Sequence, residues 1–302
     1  MAAETGNKIR ASYIAEVTFG TTPATPTGKI LRKTSFNLTA EREYLENPEL
    51  RTDRQRAAGR GGLMVGRGSV EGVLSFATYD DLMEACLGGA WTTNVLKVGT
   101  TRKSFTFERA HLVNGLYYAY RGVVVDSMRL RASADQNVEV SFGLIAAKCG
   151  NEATATIWTA TTPENTNAVH TAWEAVVKKG GTAIGTVTGF ELSLENSYDE
   201  AKVIGSQDLY DLQPKPIRVS GSLDLYFDSN ALYTDFRAEN TVALQIVLGP
   251  GATGTYTLDM TSAKITGFGA PSQGEGFVTV TVQFESFVHT TDTSLKITRT
   301  AS

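Results

Sequence analysis

With 302 residues, the chain is longer than a typical single domain and can build two sizeable cores. Hydrophobic residues make up 41% and charged residues 20% of it, a composition that excludes a chain disordered throughout. The net charge of −4 excludes a chain-wide electrostatic attraction to nucleic acid or to an anionic membrane surface.

Residues 1–34 are expected to form an N-terminal arm. The first ten residues contain no apolar segment of signal-peptide length, and no uncharged apolar run in the chain approaches the roughly 18 residues that span a bilayer. We therefore expect no membrane contact and a chain that stays in the cytoplasm where it is made.

A first β-rich module is predicted over residues 35–149. It begins with an alternating strand, SFNLT at 35–39, and continues with a second alternating strand, VEGVLSF at 70–76. A short helix is predicted over 79–87, where apolar residues fall at helical spacing. Strands follow at 104–109 and 127–130, and the module ends with apolar residues at every second position from 138 to 144.

The segment 41–67 of this module is predicted to be a long, mobile loop. Its charges are sorted, because acidic residues come first and arginines follow, and glycine and alanine fill its later part. Opposite charges on an extendable backbone can dock on a neighbouring copy, on nucleic-acid phosphates, or on nothing but solvent. The residues proposed for contacts between subunits or between rings are Glu43, Glu46, Glu49, Arg51, Asp53, Arg54, Arg56 and Arg60.

A connector over 150–186 and a second module over 187–290 complete the chain, with a tail at 291–302. The second module repeats the order of the first: GFELS at 189–193 matches 35–39, and VSGSLDL at 219–225 matches 70–76. In the same order, helix 230–237 matches 79–87, and strands 242–248, 262–265 and 278–284 match 104–109, 127–130 and 138–144. Tyr198 matches Tyr44. Five elements in one order predict an internal duplication.

A catalytic, metal or cofactor site is not expected. His111, His170 and His289 are scattered, and Cys86 and Cys149 are too few and too far apart for a zinc cluster or a disulfide framework. The glycines at 66, 68 and 72 resemble a dinucleotide fingerprint, but a strand follows them where the phosphate-binding helix should begin.

Three segments of the first half resemble the tail tube proteins of long-tailed bacteriophages. They are YIAEVTFGTTP at 13–23, ELRTDRQ at 49–55, which is similar to the loop after the first strand in that family, and YDDLMEACLGG at 79–89, which is similar to its short helix. The resemblance is best from 13 to 91 and continues as weaker pattern agreement beyond. The connector resembles nothing specific.

The resemblance implies a mainly β fold of two tandem tail-tube-like sandwich or barrel modules, each contributing strands to an inner ring β-barrel through which the genome passes. Because six copies of the fold make such a ring, two per chain imply trimeric rings with pseudo-sixfold symmetry. Hexamers, with one module outside the channel, are the alternative. The implied partners are copies of the chain in stacked rings, the tape-measure, tail terminator and distal tail proteins, and DNA in transit without sequence-specific binding.

Polar residues of the alternating strands are the candidates for lining this channel, because acidic and hydroxyl-bearing walls bind a phosphate backbone weakly. These candidates are Glu71, Ser75, Glu139, Ser141, Asp224, Thr279, Thr281 and Glu285. Two other classes of function stay open: another virion component, such as a decoration or capsid-associated β protein, and a carbohydrate-binding β-sandwich. The second would need clustered tryptophans, whereas Trp91, Trp158 and Trp173 are spread out.

Overall fold

The structure is a computed structural model that describes residues 4–251, 253–269 and 276–300. It confirms the mainly β fold and the two short helices. The strands of the first half are β1 (Ile9–Ala15), β2 (Thr27–Ile30), β3 (Ser35–Phe36), β4 (Thr39–Leu45), β5 (Arg60–Val73), β6 (Val95–Lys97), β7 (Phe105–His111), β8 (Leu116–Ser133) and β9 (Glu139–Ala153), with helix α1 (Asp80–Leu87) between β5 and β6.

The second half likewise has one short helix among its strands. Its strands are β10 (Ala160–Thr162), β11 (Val176–Lys179), β12 (Thr182–Ala183), β13 (Val187–Glu195), β14 (Asp199–Ala201), β15 (Asp211–Gln213), β16 (Arg218–Tyr226), β17 (Thr241–Leu248), β18 (Tyr256–Gly269), β19 (Thr279–Ser286) and β20 (Lys296–Arg299), with helix α2 (Ala231–Arg237) between β16 and β17. Two single-turn 3-10 helices, Gly6–Lys8 and Ala172–Glu174, precede β1 and β11.

One continuous sheet surface runs through both halves. In hydrogen-bonded order its strands are β4, β5, β9, β8, β13, β16, β19 and β18, all antiparallel. Strand β8 is long enough to serve two sheets: residues 116–123 pair with β7, and residues 127–133 pair with β13 on the same edge. The pairing of β8 with β13 therefore joins the two halves.

Alternation of side chains along these strands fixes which face is buried. In β9, Val140, Phe142 and Leu144 are buried while Glu139 is exposed, and in β19 Val280, Val282 and Phe284 are buried while Thr279 and Thr281 are exposed. The apolar side chains of both halves form one connected core, against which the two helices lie. The other face of the sheet stays polar over most of its area.

The two halves have the same pairing order, down to their irregularities. Strand β1 pairs antiparallel with both β2 and β7, and β11 pairs antiparallel with both β12 and β17. The β7–β8 ladder and the β17–β18 ladder are each interrupted, at 105–107 and at 242–244. The β8–β9 and β18–β19 ladders are interrupted at 125–127 and at 265–267. We call residues counterparts when they hold the same place in matching ladders.

Counterpart positions correct two of the sequence matches. Phe36 pairs with Val70 as Phe190 pairs with Leu223, so Gly68, and not Gly72, is the counterpart of Gly221. A Cβ at Gly68 would lie 2.6 Å from the carbonyl oxygen of Asn37, and one at Gly221 would collide with that of Glu191. Likewise Ser127 is the counterpart of Gly267, so 127–130 and 262–265 were aligned five residues apart from their true places.

The segment boundaries also differ from the sequence-based prediction. Strands β1 and β2 lie within the expected arm 1–34, β10 to β12 within the expected connector, and β20 within the expected tail. The expected loop 41–67 is mostly a β-hairpin of β4 and β5, and only 46–59 lacks strand pairing, because the glycines of 59–68 allow close approach of the partner strand. The ends of the arm and of the tail, residues 1–3 and 301–302, lie outside the described residues.

Candidate assembly interface and channel face

The polar face of the continuous sheet collects seven of the eight channel-lining candidates. Glu71 lies opposite Ser141 across β5 and β9, and Asp224 lies opposite Thr281 across β16 and β19. The hydroxyl of Thr281 donates a hydrogen bond to Asp224 Oδ1 over 2.6 Å. The remaining members of this group on the same face are Glu139, Thr279 and Glu285.

Ser75 is the exception and corrects the prediction. Strand β5 ends at Val73, so the alternation that placed Ser75 on the polar face no longer applies two residues later. Its side chain is fully buried, and its Oγ lies 2.6 Å from the hydroxyl of Thr78. Ser75 therefore stabilises the turn before α1 and is not part of the polar face.

Charged residues that the sequence analysis missed share this face. They alternate with buried residues on β8, β13, β16 and β18: Arg129, Arg131, Glu191, Glu195, Arg218 and Lys264. Arg129 forms an ion pair with Glu191 over 2.6 Å, and Arg218 forms one with Glu285 over 3.1 Å. The alternation in 127–131 was the available signal. The face is thus charge-mixed, with more carboxylates than cations, and not simply acidic.

The arm hairpin, defined here as residues 39–67, carries all eight predicted contact residues. Glu43 lies on β4, Arg60 begins β5, and the other six lie in 46–59. Two exposed ion pairs are internal to the hairpin: Arg51 with Asp53 over 2.5 Å, and Arg56 with Glu46 over 3.2 Å. Every residue of β4 is exposed, which includes Tyr44 at 62%. In the part of the chain that the structure describes, β4 pairs along one edge only, with β5, and its Tyr44 and Leu45 side chains are exposed.

The corresponding loop of the second half is folded down instead. Residues 196–217 contain the β14–β15 hairpin, whose Leu209 and Leu212 are buried on a second apolar cluster. Asn196 Nδ2 donates to the carbonyl oxygens of Cys86, over 2.9 Å, and Val125, over 3.0 Å, and Arg102 pairs with Asp211. This loop belongs to the second half but rests on the first, so it seals the junction of β8 with β13.

A buried polar network holds the C-terminal strand against the first half. Asp80, in the first turn of α1, accepts a hydrogen bond from the hydroxyl of Tyr256 over 2.5 Å and forms an ion pair with Arg299 on β20. The guanidinium of Arg299 also lies 4.5 Å from the ring centre of Trp91. Burial raises the pKa of Asp80, although the bond from Tyr256 and the charge of Arg299 oppose this. These contacts fix the two halves relative to each other.

Reactive groups are few and separated in the part of the chain that the structure describes. There, no group of three or more histidine, cysteine or acidic side chains could hold a metal ion. Burial raises the pKa of the half-buried Cys149 thiol to about 11, which disfavours the nucleophilic thiolate. Among those same residues, no helix has both the length and the apolar composition needed to cross a bilayer.

The eight-stranded order ends at β4 on one side and, on the other, at the residues of β18 beyond Lys264, where the pairing with β17 stops. Within the described part of the chain, such edges can accept a strand from another copy. The model of the phage tail tube protein family matches residues 6–286, and the chain belongs to this family. It is thus a structural protein of the virion tail, as the resemblance implied. No curated protein matches the chain.

Among solved structures, a chain from the virion of a native gene transfer agent particle is similar. It is 14% identical in sequence over 38% of this chain and 92% of its own length, with a TM-score of 0.32.

Proposed function

We propose that three copies of this chain close into a ring, that the polar face of their joined sheets lines the channel, and that such rings stack into the tube through which DNA leaves the virion. The observation that carries this proposal is the β8–β13 ladder. It joins two halves of matching pairing order edge to edge within one chain. Repeating the same step between chains would use the two remaining ends of the eight-stranded order.

The size of the channel that eight strands per chain would form supports three chains per ring. A strand takes about 4.8 Å of sheet width, and a tilt near 40° widens this to roughly 6 Å of circumference. Eight strands per chain give about 24 strands in a ring of three, with a backbone diameter of roughly 48 Å. That is wide enough for a DNA duplex after side chains occupy the wall, whereas six chains arranged this way would form a channel about twice as wide.

The charge of the polar face suits transit of DNA without retention. Its carboxylates outnumber its cations, and Arg129, which lies on β8 and away from Arg218 and Glu285 on β16 and β19, is engaged by Glu191. Free arginines on a wall would bind phosphates in a salt-dependent way, and paired arginines do so less. We therefore expect the wall to let DNA slide, with no chemical reaction and no cofactor required.

Tail assembly supplies the remaining partners and the place. The ring stack needs a protein that sets its length, one that ends it and one that joins it to the tail tip, so tape-measure, terminator and distal tail proteins are proposed to contact the rings. Assembly is proposed to occur in the cytoplasm of the host bacterium.

Electron microscopy of the purified chain, with mass measurement of isolated rings, tests the proposal. Hollow cylinders built from rings of three chains are expected. Rings of six chains would support the alternative in which one half decorates the outside, and a protein that forms no tubes under any condition would point to another virion component.

The channel face is tested by replacing Glu71 and Asp224 together with lysine in particles that assemble. We expect slower ejection and stronger DNA retention, because two cations per chain would face the phosphates. Lysine at Glu152 and Glu174, which lie outside this face, is the matched control for the change in net charge. Unchanged ejection with the first pair would remove these side chains from the channel wall.

A further inference from the structure

The junction inside the chain is a template for the junction between chains. Where β8 meets β13, the β14–β15 hairpin covers the sheet and buries Leu209 and Leu212. The covered positions on the first half are apolar: Val65, Val124, Ile145 and Ala147. Tyr198, at the base of the hairpin, packs on the same cluster, and its burial raises its pKa.

The second half has a matching but uncovered surface. In the matching ladders, the counterparts of these four apolar residues are Arg218, Lys264, Glu285 and Phe287. We call these four residues the seat. Lys264 lies opposite Glu285, which pairs with Arg218, and Phe287 is 44% exposed. The seat is charged where its counterpart is apolar.

The arm hairpin is the counterpart of the covering loop. Residues 43–63 follow the pair Arg42–Met64 much as 197–216 follow Asn196 in the second half, although β4 and β5 stay paired as far as Leu45 and Arg60. Tyr44 is the counterpart of Tyr198. Tyr198 is packed on the second apolar cluster, whereas Tyr44 is 62% exposed and its hydroxyl accepts a hydrogen bond from the backbone N–H of Gly59 within the hairpin. In the single chain, Tyr44 of the hairpin and Phe287 of the seat are therefore both exposed.

We propose that the arm hairpin of one copy packs on the seat of the next copy, with β4 of the first pairing antiparallel with residues 265–269 of β18 of the second, beyond the point where β17 stops pairing with that edge. This inference rests on the proposed function and specifies its ring contact. The pairs Arg129–Ser193 and Ser127–Glu195 at the internal junction set the register. Their counterparts place Thr39 opposite Gly269 and Glu41 opposite Gly267.

Charge complementarity supports this occupant. The seat carries both signs of charge, and so does the hairpin, which presents Glu43 and Glu49 besides Arg54 and Arg60. In addition, the seat opens onto a groove of about 970 Å³ that Arg218, Glu285 and Phe287 line together with Pro216 and Ile217. It can receive the exposed apolar side chains of the hairpin, Tyr44 and Leu50. A contact of this composition weakens as salt screens its charges.

Cysteine cross-linking in assembled tubes tests the register. Thr39→Cys with Gly269→Cys, in a Cys149→Ser background, should give covalent links between chains on mild oxidation, because directly opposed residues lie about 4.5–5.5 Å apart between Cα atoms. A Cβ at Gly269 meets only the Thr281 carbonyl oxygen, at 3.9 Å, so the substitution fits. Ser35→Cys with Gly269→Cys is four residues out of register and should link at least about tenfold less.

Arg129→Cys with Ser193→Cys is the matched positive control, because it places the same pair inside the chain. Tubes in which the control links and the Thr39–Gly269 pair does not would overturn the inference and leave the proposed function standing. Failure of every variant and of the unmodified chain to form tubes would instead count against the proposed function.

The packing of the hairpin is tested by Tyr44→Ser together with a salt series. The exposed position predicts an unchanged melting temperature and a several-fold loss of tube assembly, with both the variant and the unmodified protein assembling less as salt rises. Assembly equal to that of the unmodified protein at every salt concentration would contradict the proposed contact.

Discussion

The arm hairpin of the first half and the loop 196–217 of the second half hold matching places in the chain, but they differ in what they pack against. In the second half, 196–217 lies on an apolar surface that is always present, because the same chain supplies it. In the first half, strand β4 of the arm hairpin is exposed along its whole length and carries charges and an exposed Tyr44. A tethered contact has a high effective concentration and can be apolar without being exposed between encounters.

A contact between copies has the opposite requirement. Before assembly the seat faces water, and a patch like Val65, Val124 and Ile145 in its place would invite unspecific association. Arg218, Lys264 and Glu285 keep that surface soluble and leave register to strand pairing. With the proposed contact, one of two matching junctions is a permanent part of the chain, and the other would form only on assembly.

The largest effect should come from shortening the apolar cover. Leu212→Ala removes a fully buried side chain from the second cluster, and we expect it to lower the free energy of unfolding by about 2–5 kcal/mol. Leu50→Ala, on the exposed loop of the arm hairpin, is the matched control and should leave stability within about 0.5 kcal/mol.

Urea unfolding of both variants measures this comparison. Equal small losses in the two variants would mean that the β14–β15 hairpin contributes no more to stability than the free one, and the contrast drawn above would be wrong.

The fold could be predicted from the sequence wherever alternation is strong. The alternating residues of 138–144 and 278–284 were matched correctly, because Val140, Phe142 and Leu144 are buried on one face of β9 as Val280, Val282 and Phe284 are on one face of β19. The match of 70–76 with 219–225 was shifted by four residues, since an even shift keeps every side chain on its face and pattern alone cannot detect it. The match of 127–130 with 262–265 was wrong by five residues, because a β-bulge in each strand shifts which residues face the core.

The sequence also predicted only the part of the candidate site that lies on strongly alternating strands. Glu71, Glu139 and Asp224 were found because they alternate within long strands. The seat was not predicted, because its residues can be recognised as counterparts of the apolar cluster only from the strand pairing in the structure. The match of Tyr44 with Tyr198 was the one signal in the sequence that pointed toward it.

A smaller effect is expected at the polar closure of the internal junction. Asn196→Ala removes two hydrogen bonds and leaves the carbonyl oxygens of Cys86 and Val125 buried without this donor, at a cost of about 1–3 kcal/mol. Its counterpart Arg42 is on the exposed hairpin and bonds the side chain of Gln207. Arg42→Ala should therefore change the free energy of unfolding by less than about 0.5 kcal/mol.

Thermal and urea unfolding compare these two variants, and the ratio of the two losses carries the information. A loss at Arg42 as large as that at Asn196 would show that the hairpin is already part of the folded core of a single chain, and that no partner is needed to cover it.

The smallest effect concerns pH and the opposite side of the same junction. The backbone of His170 bonds Leu74 and Val138 of the first half, while its ring packs edge-on against Tyr256 of the second, with centroids 5.9 Å apart. Burial lowers the pKa of this imidazole, and Glu174 opposes the shift only in part. The folded chain therefore holds His170 neutral at a pH where the unfolded chain, with a pKa of about 6.5, is already protonated.

The sign of the pH dependence follows from that difference. The stability associated with His170 is complete above its unfolded pKa and is lost as the pH falls toward its lowered folded pKa, because protons then favour the unfolded chain. His170→Gln should flatten the fall in unfolding free energy between about pH 7 and pH 5, where the imidazole of the unfolded chain titrates. Leu212→Ala serves as the control, since it should shift the whole curve downward without changing its slope. A slope in His170→Gln equal to that of the unmodified protein would show that the joint between the halves is indifferent to this proton, and that its tightness comes from the apolar cover and Asn196 alone.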